Sequence, residues 1–500
     1  MAEAAVDFFQ RQFTQEAEPT SFELLNNVPT MVSAEQNIEL CTTPTREEVK
    51  ATIFALSGES ASGPDGFTDL RPIRLSNSIN KVFSRVLHDR LEKTLPTLIS
   101  TNQSGFVKGR SIFENILLTQ EIVTNIRLRG KPDNVVIKLD MAKAYDRYLV
   151  LINSQASHFF HSTRGVKQGD PLSPALFILS TELPSRSLNK LFEDKLFKGY
   201  SMPKWTDLLN HLAYVDDTII FASPDQYFLQ KIVEVLAKYE HISGQLINKE
   251  KCSFYVHSNT AATLINTVTD ITGISKGEFS FTYLGCPIFY TRRRKEYYNE
   301  LTQKVKAKLH SWKGKLLSYG GKATLISSVL QSMPFHILPI LDPPANVLQH
   351  LHKIFARFFW RNKDEGRSRH WTKWQNLCLP KDEGGVRFRS LVETAKALFA
   401  KLWWNFRTTK SLWANFTWNK CCKKEIPTVV QFKQRSHVWK KMLEAREEVG
   451  HELLWELKSG SSNIWHENWT GLGALYHVIP PKFHINEELQ EVAELREENA

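Results

Sequence analysis

The sequence is short of several things, and each shortage removes a class of protein. The six cysteines among 500 residues (Cys41, Cys252, Cys286, Cys378, Cys421 and Cys422) lack the spacing of a disulfide framework and point to a reducing compartment. No run approaches eighteen consecutive apolar residues, so no membrane-spanning helix and no membrane partner are expected. The opening Met-Ala-Glu-Ala-Ala-Val-Asp has neither the basic start nor the apolar core of a secretory signal. No internal repeat or low-complexity tract is present. The chain reads as intracellular, cytoplasmic or nuclear, and not secreted.

What is present is ordinary in amount and uneven in placement. Hydrophobic residues make up 42% and charged residues 23%, values of a folding chain, and 500 residues are too many for one core. The net charge is +11, but residues 1–60 carry ten acidic and three basic side chains, so the remainder holds +18. An excess of that size favours a polyanionic partner, nucleic acid being the commonest. From Arg292 to Lys322 there are ten Lys/Arg against two Glu, with Tyr297, Tyr298, Trp312 and Tyr319 among them. Eleven of the thirteen tryptophans lie beyond residue 350, which gives the C-terminal part its own aromatic character.

Local patterns place the elements. Thr45-Arg-Glu-Glu48 reads as a capping box ahead of Val49, Ile53 and Leu56, and residues 77–95 as a helix. Asn134-Val-Val-Ile-Lys-Leu-Asp140 is a β-branched run that predicts a buried strand ending on an acid. His211–Val215 and Thr218–Phe221 flank Asp216-Asp217, which predicts a tight hairpin with two acids at its tip. Helical spacing follows over residues 225–240, and again in Leu348, Leu351, Phe355 and Phe358. Strands mixed with helices before residue 290 imply an α+β domain.

Asp140, Asp216 and Asp217 matter if the two strands are neighbours. Magnesium prefers oxygen ligands and retains part of its water shell, so two or three aspartates can hold ions for phosphoryl transfer. Alone, an Asp-Asp turn is more often a solvated or locally hydrogen-bonded feature.

The company these acids keep is specific. Asp140-Met-Ala-Lys-Ala-Tyr-Asp146, Arg164-Gly-Val-Lys-Gln-Gly-Asp-Pro-Leu-Ser-Pro174, Tyr214-Val-Asp-Asp217, Ser243-Gly-Gln-Leu-Ile-Asn-Lys-Glu-Lys251 and Phe281-Thr-Tyr-Leu-Gly285 occur in that order. The series resembles the successive palm motifs of reverse transcriptases, in detail those of plant LINE-type (non-LTR) retrotransposons, over about residues 1–480. The resemblance implies a right-hand polymerase: an acidic segment over 1–60, reduced fingers over 61–130, and a palm with an antiparallel sheet over 131–290. A basic helical thumb over 291–365 and a Trp-rich extension over 366–500 complete it.

It further implies RNA-directed DNA synthesis with RNA template, DNA primer, their heteroduplex and deoxynucleoside triphosphates as partners, and two Mg²⁺ ions, or Mn²⁺, on Asp140, Asp216 and Asp217. Tyr145 would lie under the nucleotide sugar, Gln168 and Gly169 would line the templating pair, and Lys251 would face the leaving pyrophosphate. Arg292, Arg293, Arg294, Lys295, Lys304, Lys308, Trp312 and Lys313 would hold the heteroduplex. Asn102-Gln-Ser-Gly-Phe-Val-Lys-Gly-Arg110 resembles a motif near the template entrance, and Arg71-Pro-Ile73 one in the fingers. Zinc is not expected, because adjacent Cys421 and Cys422 lack zinc-finger spacing.

Two spacings are compressed relative to the resemblance. Gly63–Thr68 runs almost directly into Arg71, and Arg147 directly into Tyr148, so that Asp140 lies only 76 residues before Asp216. The second compression removes a helix from under the sheet, and one apolar face is expected to be uncovered. The chain also has no room for an endonuclease ahead of the polymerase motifs. Two readings therefore stand: a LINE-type reverse transcriptase, or an internally deleted relic that at most binds nucleic acid.

Overall fold

The computed structural model describes residues 23–55, 78–126, 133–141, 149–152, 155–159, 170–291, 293–311, 317–360, 370–423, 425–432, 436–450, 452–457, 462–480, 483, 485–486 and 489–495. The chain divides into two compact units. The first comprises 1–115, 125–202 and 207–279, and the second 116–124, 203–206 and 280–500.

The first unit is an α+β body around one sheet. In chain order it holds helices α1 (Ala34–Cys41), α2 (Arg46–Ala55), α3 (Ser78–Leu98) and the start of α4 (Ile112–Val123). Strands β1 (Val135–Leu139), β2 (Leu149–Ile152) and β3 (Gln155–Phe159) follow, then α5 (Ser173–Lys190), β4 (His211–Tyr214) and β5 (Asp217–Ala222). The unit ends with α6 (Gln226–Ser243), β6 (Ser253–Val256), α7 (Ala262–Thr272) and β7 (Ser275–Lys276). The sheet order is β4-β5-β1-β6-β7; β2 and β3 pair separately. All pairings in the main sheet are antiparallel except β6 with β7, which is parallel. The expected antiparallel sheet thus carries one short parallel edge.

Strand β1 is central because its sequence, Val-Val-Ile-Lys-Leu, can be buried on both faces. Val135, Ile137 and Leu139 join Ile220, Ala222, Phe254 and Val256 on one face, and Leu229, Ile232 and Val268 from α6 and α7 pack onto it. Each such aliphatic side chain, removed from water, contributes about 1.5–3 kcal/mol. Helix α6 presents that face because Asp225 caps its start, accepting from the Tyr227 N–H, and Gly244 at φ +65 ends it.

The opposite face does not match the expectation of an uncovered surface. Val136, Ile219, Phe221 and Tyr255 are all buried. Tyr200 meets Phe221 edge-to-face at 5.6 Å, and Tyr255 packs against Phe279 at 5.5 Å. Tyr200 and Phe279, both in loops, thus cover part of this face. The junctions at 68–71 and 147–148 themselves lie outside the described residues.

Two other local expectations are corrected. The Thr45 hydroxyl accepts from the Glu48 N–H at 3.2 Å, but the Glu48 carboxylate, instead of closing a capping box, pairs with Arg90 at 2.7 Å. Arg90 is buried and also donates to the carbonyls of Leu40 and Thr42, so it ties α1 and α2 to α3. In α2 the buried residue is Thr52, while Ile53 is half exposed.

The second unit is mainly helical. It opens on a hairpin of β8 (Phe281–Tyr283) and β9 (Cys286–Ile288). Its turn residues Leu284 and Gly285 both hold positive φ, +47° and +76°. Helices α8 (Asn299–Ser311), α9 (Tyr319–Leu325), α10 (Leu338–Leu341), α11 (Ala345–Trp360), α12 (Trp374–Leu377), α13 (Leu391–Thr408), α14 (Leu412–Thr417) and α15 (His437–Val449) follow. The buried stripe of α11 is Val347, Leu348, Leu351, Ile354, Phe355 and Phe359, so Phe359 replaces the expected Phe358.

The late tryptophans build a core. Trp403, Phe406, Trp413 and Trp439 are buried in mutual ring contact at 5.4–6.4 Å. Two ion pairs are buried beside it: Arg407 with Glu467, and Lys420 with Glu121 of α4 at 2.6 Å. Burial pulls the Arg407 guanidinium down to about 10.

A buried charge left without its partner costs about 3–5 kcal/mol, whereas replacing both partners by apolar groups is close to neutral. Lys420→Met should therefore lower unfolding stability by about 3 kcal/mol or more, with the double variant Glu121→Leu/Lys420→Met recovering most of the loss. Urea unfolding followed by tryptophan fluorescence checks this.

Candidate active site

Three segments of the first unit meet at one end of the sheet. Leu139 faces Thr218 across β1 and β5, so one further step in that register brings Asp140 opposite Asp217. Successive strand residues alternate faces, which puts Lys138, Asp140 and Asp217 on the same side. Asp216 stands exposed at the tip of the β4–β5 turn, and Asp217, the first residue of β5, is partly buried.

Electrostatics register this meeting. Burial raises the Asp217 carboxyl, the negative charges of Asp216 and Asp140 raise it further, and Lys138 opposes them; the result is about 6. The Asp140 main chain is held from the other side. Its N–H donates to the Cys252 sulfur at 3.2 Å, and its carbonyl accepts from the Asn248 N–H at 2.9 Å. Met141 bridges to Ile247. The Ser243–Lys251 motif is therefore brought against Asp140, with Lys251 exposed on the turn that follows Asn248.

The turn that carries Asp216 is strained. Tyr214 pairs with Asp217, leaving Val215 and Asp216 as the two loop residues, and Val215 has φ +58. A β-branched residue in that region is a true outlier that its surroundings must impose. The Gln103 carboxamide imposes it. Its Oε1 accepts from the Val215 N–H at 2.9 Å and the Gly105 N–H at 2.8 Å, while its Nε2 donates to the Val215 carbonyl at 3.2 Å.

Neighbours of Gln103 extend the grip. The Asn102 side chain donates to the His211 carbonyl, its backbone carbonyl accepts from Ala213, and the Asn115 side chain donates to the Ala213 carbonyl. Arg110 fixes the segment in turn, donating to the carbonyls of Ile99, Ser100 and Gln103. Gly105 must be small: a Cβ there would lie 2.5 Å from Val215 Cγ2 and 2.7 Å from its nitrogen.

The 102–110 stretch was legible as a motif. Its work as a clamp on the aspartate turn was not, since nothing in the spacing of Gln103 and Val215 announces a contact across 112 positions.

The remaining candidates fall in several places. Tyr145, Gln168, Gly169, Arg292, Trp312, Lys313 and the Arg71–Ile73 motif lie outside the described residues. Asp170, next to Gly169, lies in the turn ahead of α5, accepting from the Leu172 N–H at 3.0 Å and from the Ser84 hydroxyl at 2.9 Å.

In the second unit Arg293 pairs with Asp342 at 2.5 Å and is three-quarters buried, which makes it a structural cation. Lys304 pairs with Glu300 along α8 in an exposed setting, and Arg294, Lys295 and Lys308 are exposed. Tyr297 stacks on Phe289 at 4.7 Å and Tyr298 is buried, so these rings serve packing.

Chemically, three carboxylates at adjacent strand ends form a hard-oxygen donor set with surplus negative charge, which suits divalent cations. Their ligand atoms do not all lie within 4.8 Å of one another. Among the described residues the one such group is His88, Asp89 and Glu92 on α3. There Asp89 already pairs with Arg85 at 2.8 Å, as on an ordinary salt-bridged helix surface.

Two outcomes follow. Gln103→Ala should lower the melting temperature by the equivalent of about 1–3 kcal/mol, since it strands the backbone groups of a strained turn; Gly105→Ala should do likewise through its clash, both read by calorimetry. Asp217→Asn should raise the melting temperature in chelator at pH 8. A carboxyl raised in the folded state costs stability as pH climbs from about 4 towards about 6. The gain should therefore shrink at pH 5.

Residues 63–288 match the reverse transcriptase (RNA-dependent DNA polymerase) family. The chain is 28% identical over 362 residues to the 149 kDa protein of transposon TX1 from Xenopus laevis, covering 65% of this chain and 26% of that protein. It is 29% identical over 189 residues to a protein of Arabidopsis thaliana named as a ribonuclease H protein, covering 37% and 30%. It is also 25% identical over 218 residues to the Pol polyprotein of a type-1 R2 retrotransposable element from Popillia japonica, covering 36% and 29%. The chain thus spans less than a third of the length of each of these relatives. A telomerase structure from Candida albicans covers 68% of this chain at 12% identity with a TM-score of 0.26, a likeness too low to argue from. The matches support a reverse transcriptase region of the non-LTR retrotransposon kind.

Proposed function

We propose that this chain is the RNA-directed DNA polymerase of a LINE-type retrotransposon, extending a primer 3′-hydroxyl by two-metal nucleotidyl transfer. The observation that carries this reading is the meeting of Asp140 with Asp216 and Asp217 at one end of the sheet, where burial, and after it the like charges of Asp216 and Asp140, push the Asp217 carboxyl up to about 6. Reverse transcriptases work with divalent ions, and Asp140, Asp216 and Asp217 would hold them here, Mg²⁺ first and Mn²⁺ as the alternative. Bound there, the ions would activate the attacking hydroxyl and stabilise the leaving oxygen.

The protein's own part is positional. Strand β1 fixes Asp140 through its buried run, and the Gln103 clamp fixes the turn that carries the other two acids. Lys251, on the turn joined to Asp140 through Asn248, is a candidate proton donor to pyrophosphate. Tyr145, Gln168 and Gly169 would complete the nucleotide site as the motifs imply. Exposed Arg294, Lys295, Lys304 and Lys308 would meet heteroduplex phosphates, which binds without reading sequence. RNA template, DNA primer and deoxynucleoside triphosphates are the partners of this reading. Among the described residues no helix is long and apolar enough to cross a membrane.

Primer extension on an RNA template with the purified chain tests the reading. Incorporation should require a divalent ion and fall at least about a thousandfold in Asp216→Asn, while salt-dependent heteroduplex binding persists. Incorporation unchanged in Asp216→Asn would refute the site. Binding with no incorporation by the parent chain would favour the relic.

A further inference from the structure

The second unit contains an open cleft of about 860 Å³ between α11 and the segment leading into α12. Its floor is apolar and fixed. Trp374 is buried, stacked on Phe388 at 5.1 Å with an interplanar angle of 13°. His352 accepts from the Leu391 N–H at 3.0 Å, and burial pulls its imidazole down to about 4, so it stays neutral. The rim differs in kind. Lys353, Arg357 and Lys373 line it, all exposed, and among the described lining residues there is no carboxylate. Trp371 stands at the same rim with 78% of its surface in water.

A single exposed tryptophan is unremarkable, and so is a lysine on a helix surface. Their combination in one concave site is specific. An indole in water offers a stacking face to any base, and cations around it attract the phosphates that connect bases. The basic field also reaches beyond the cleft. Burial lowers the His350 imidazole most, and Lys306, Lys295, Arg357 and Lys353 lower it further, so Lys295 and Lys306 lie in one electrostatic neighbourhood with the cations of α11.

We propose that this cleft binds single-stranded nucleic acid, with a base stacked on Trp371 and flanking phosphates held by Lys353, Arg357 and Lys373. A duplex keeps its bases stacked inside and cannot use the indole. An acidic peptide would use the cations and gain nothing from the ring. The site is thus distinct from the heteroduplex surface of the preceding reading and does not depend on catalysis, because binding is read without incorporation.

The test uses the full chain with U20 or dT20 strands carrying 5-iodouracil, cross-linked by long-wavelength light and mapped by mass spectrometry. Cross-links should fall on Trp371. Trp371→Ala should weaken strand binding between about fivefold and about a hundredfold while leaving the melting temperature and duplex affinity unchanged. Lys353→Glu/Arg357→Glu should weaken binding and flatten its salt dependence. Because Trp371 is exposed, its variant should fold; if it does not, Trp371→Phe should retain binding and Lys373→Glu should lose it. The proposal is overturned by cross-links only elsewhere, by an equal loss of duplex and strand binding in Trp371→Ala, or by displacement with polyglutamate as efficient as with unlabelled strand. Preference between the U20 and dT20 arms assigns the strand as RNA or DNA.

Discussion

Val215 occupies a backbone conformation that its own side chain opposes, and one carboxamide keeps it there. Gln103 presents its oxygen and its nitrogen to the two backbone groups of Val215, so the turn is gripped as a strand edge would grip it. The remainder of the acidic site depends on this. A two-residue turn returns the chain in register, so that Thr218 meets Leu139 and the following pairs continue along β5. If the turn relaxed by one residue, every side chain of β5 would exchange faces, and Ile220 and Ala222 would leave the core. Strain at the tip is thereby coupled to burial along the strand, and the strand supplies ample energy to maintain it.

The same geometry creates an electrostatic debt. Asp217 is partly withdrawn from water and faces two other carboxylates, with Lys138 as the nearby cation that offsets part of their field. A fold selected only for stability would place an amide or a threonine there, as it does at Thr218 one position on. The cost is bearable because β1 is buried on both faces and its neighbours are paired throughout. Stability is spent at the sheet end and recovered in its middle, a distribution in which carboxyls are strongly perturbed.

Much of this was legible in the sequence where the signal is local. The β-branched run of β1 and the alternation on either side of Asp216-Asp217 have the periodicity of strands, and the structure has strands at Val135–Leu139, His211–Tyr214 and Asp217–Ala222. What stayed hidden is contact between distant positions. Glu48 satisfies a capping pattern, but Arg90, 42 residues on, outcompetes the backbone for its carboxylate because a charge-assisted bidentate pair is the stronger bond. The burial of Phe221 by Tyr200 could not be read from spacing either, since it depends on a loop turning back over the sheet. The expectation of an uncovered face treated a helix as the sole possible cover.

Charge in the second unit teaches a related lesson about composition. The ten cations between Arg292 and Lys322 look equivalent as a sum, yet those among the described residues divide by environment. Arg293 is locked to Asp342, and Lys322 is buried over the Tyr319 ring with its ammonium pulled down by desolvation. Neither can neutralise a phosphate without dismantling its own surroundings. Lys295 and Lys306 remain exposed, and their fields extend to His350 on α11, where Lys353 and Arg357 add to them. Among the described residues the exposed positive charge is therefore smaller than the segment's sum, and it is continuous with that of α11. A polyanion approaching this unit is attracted by exposed cations alone, so its path is set by burial as much as by sequence.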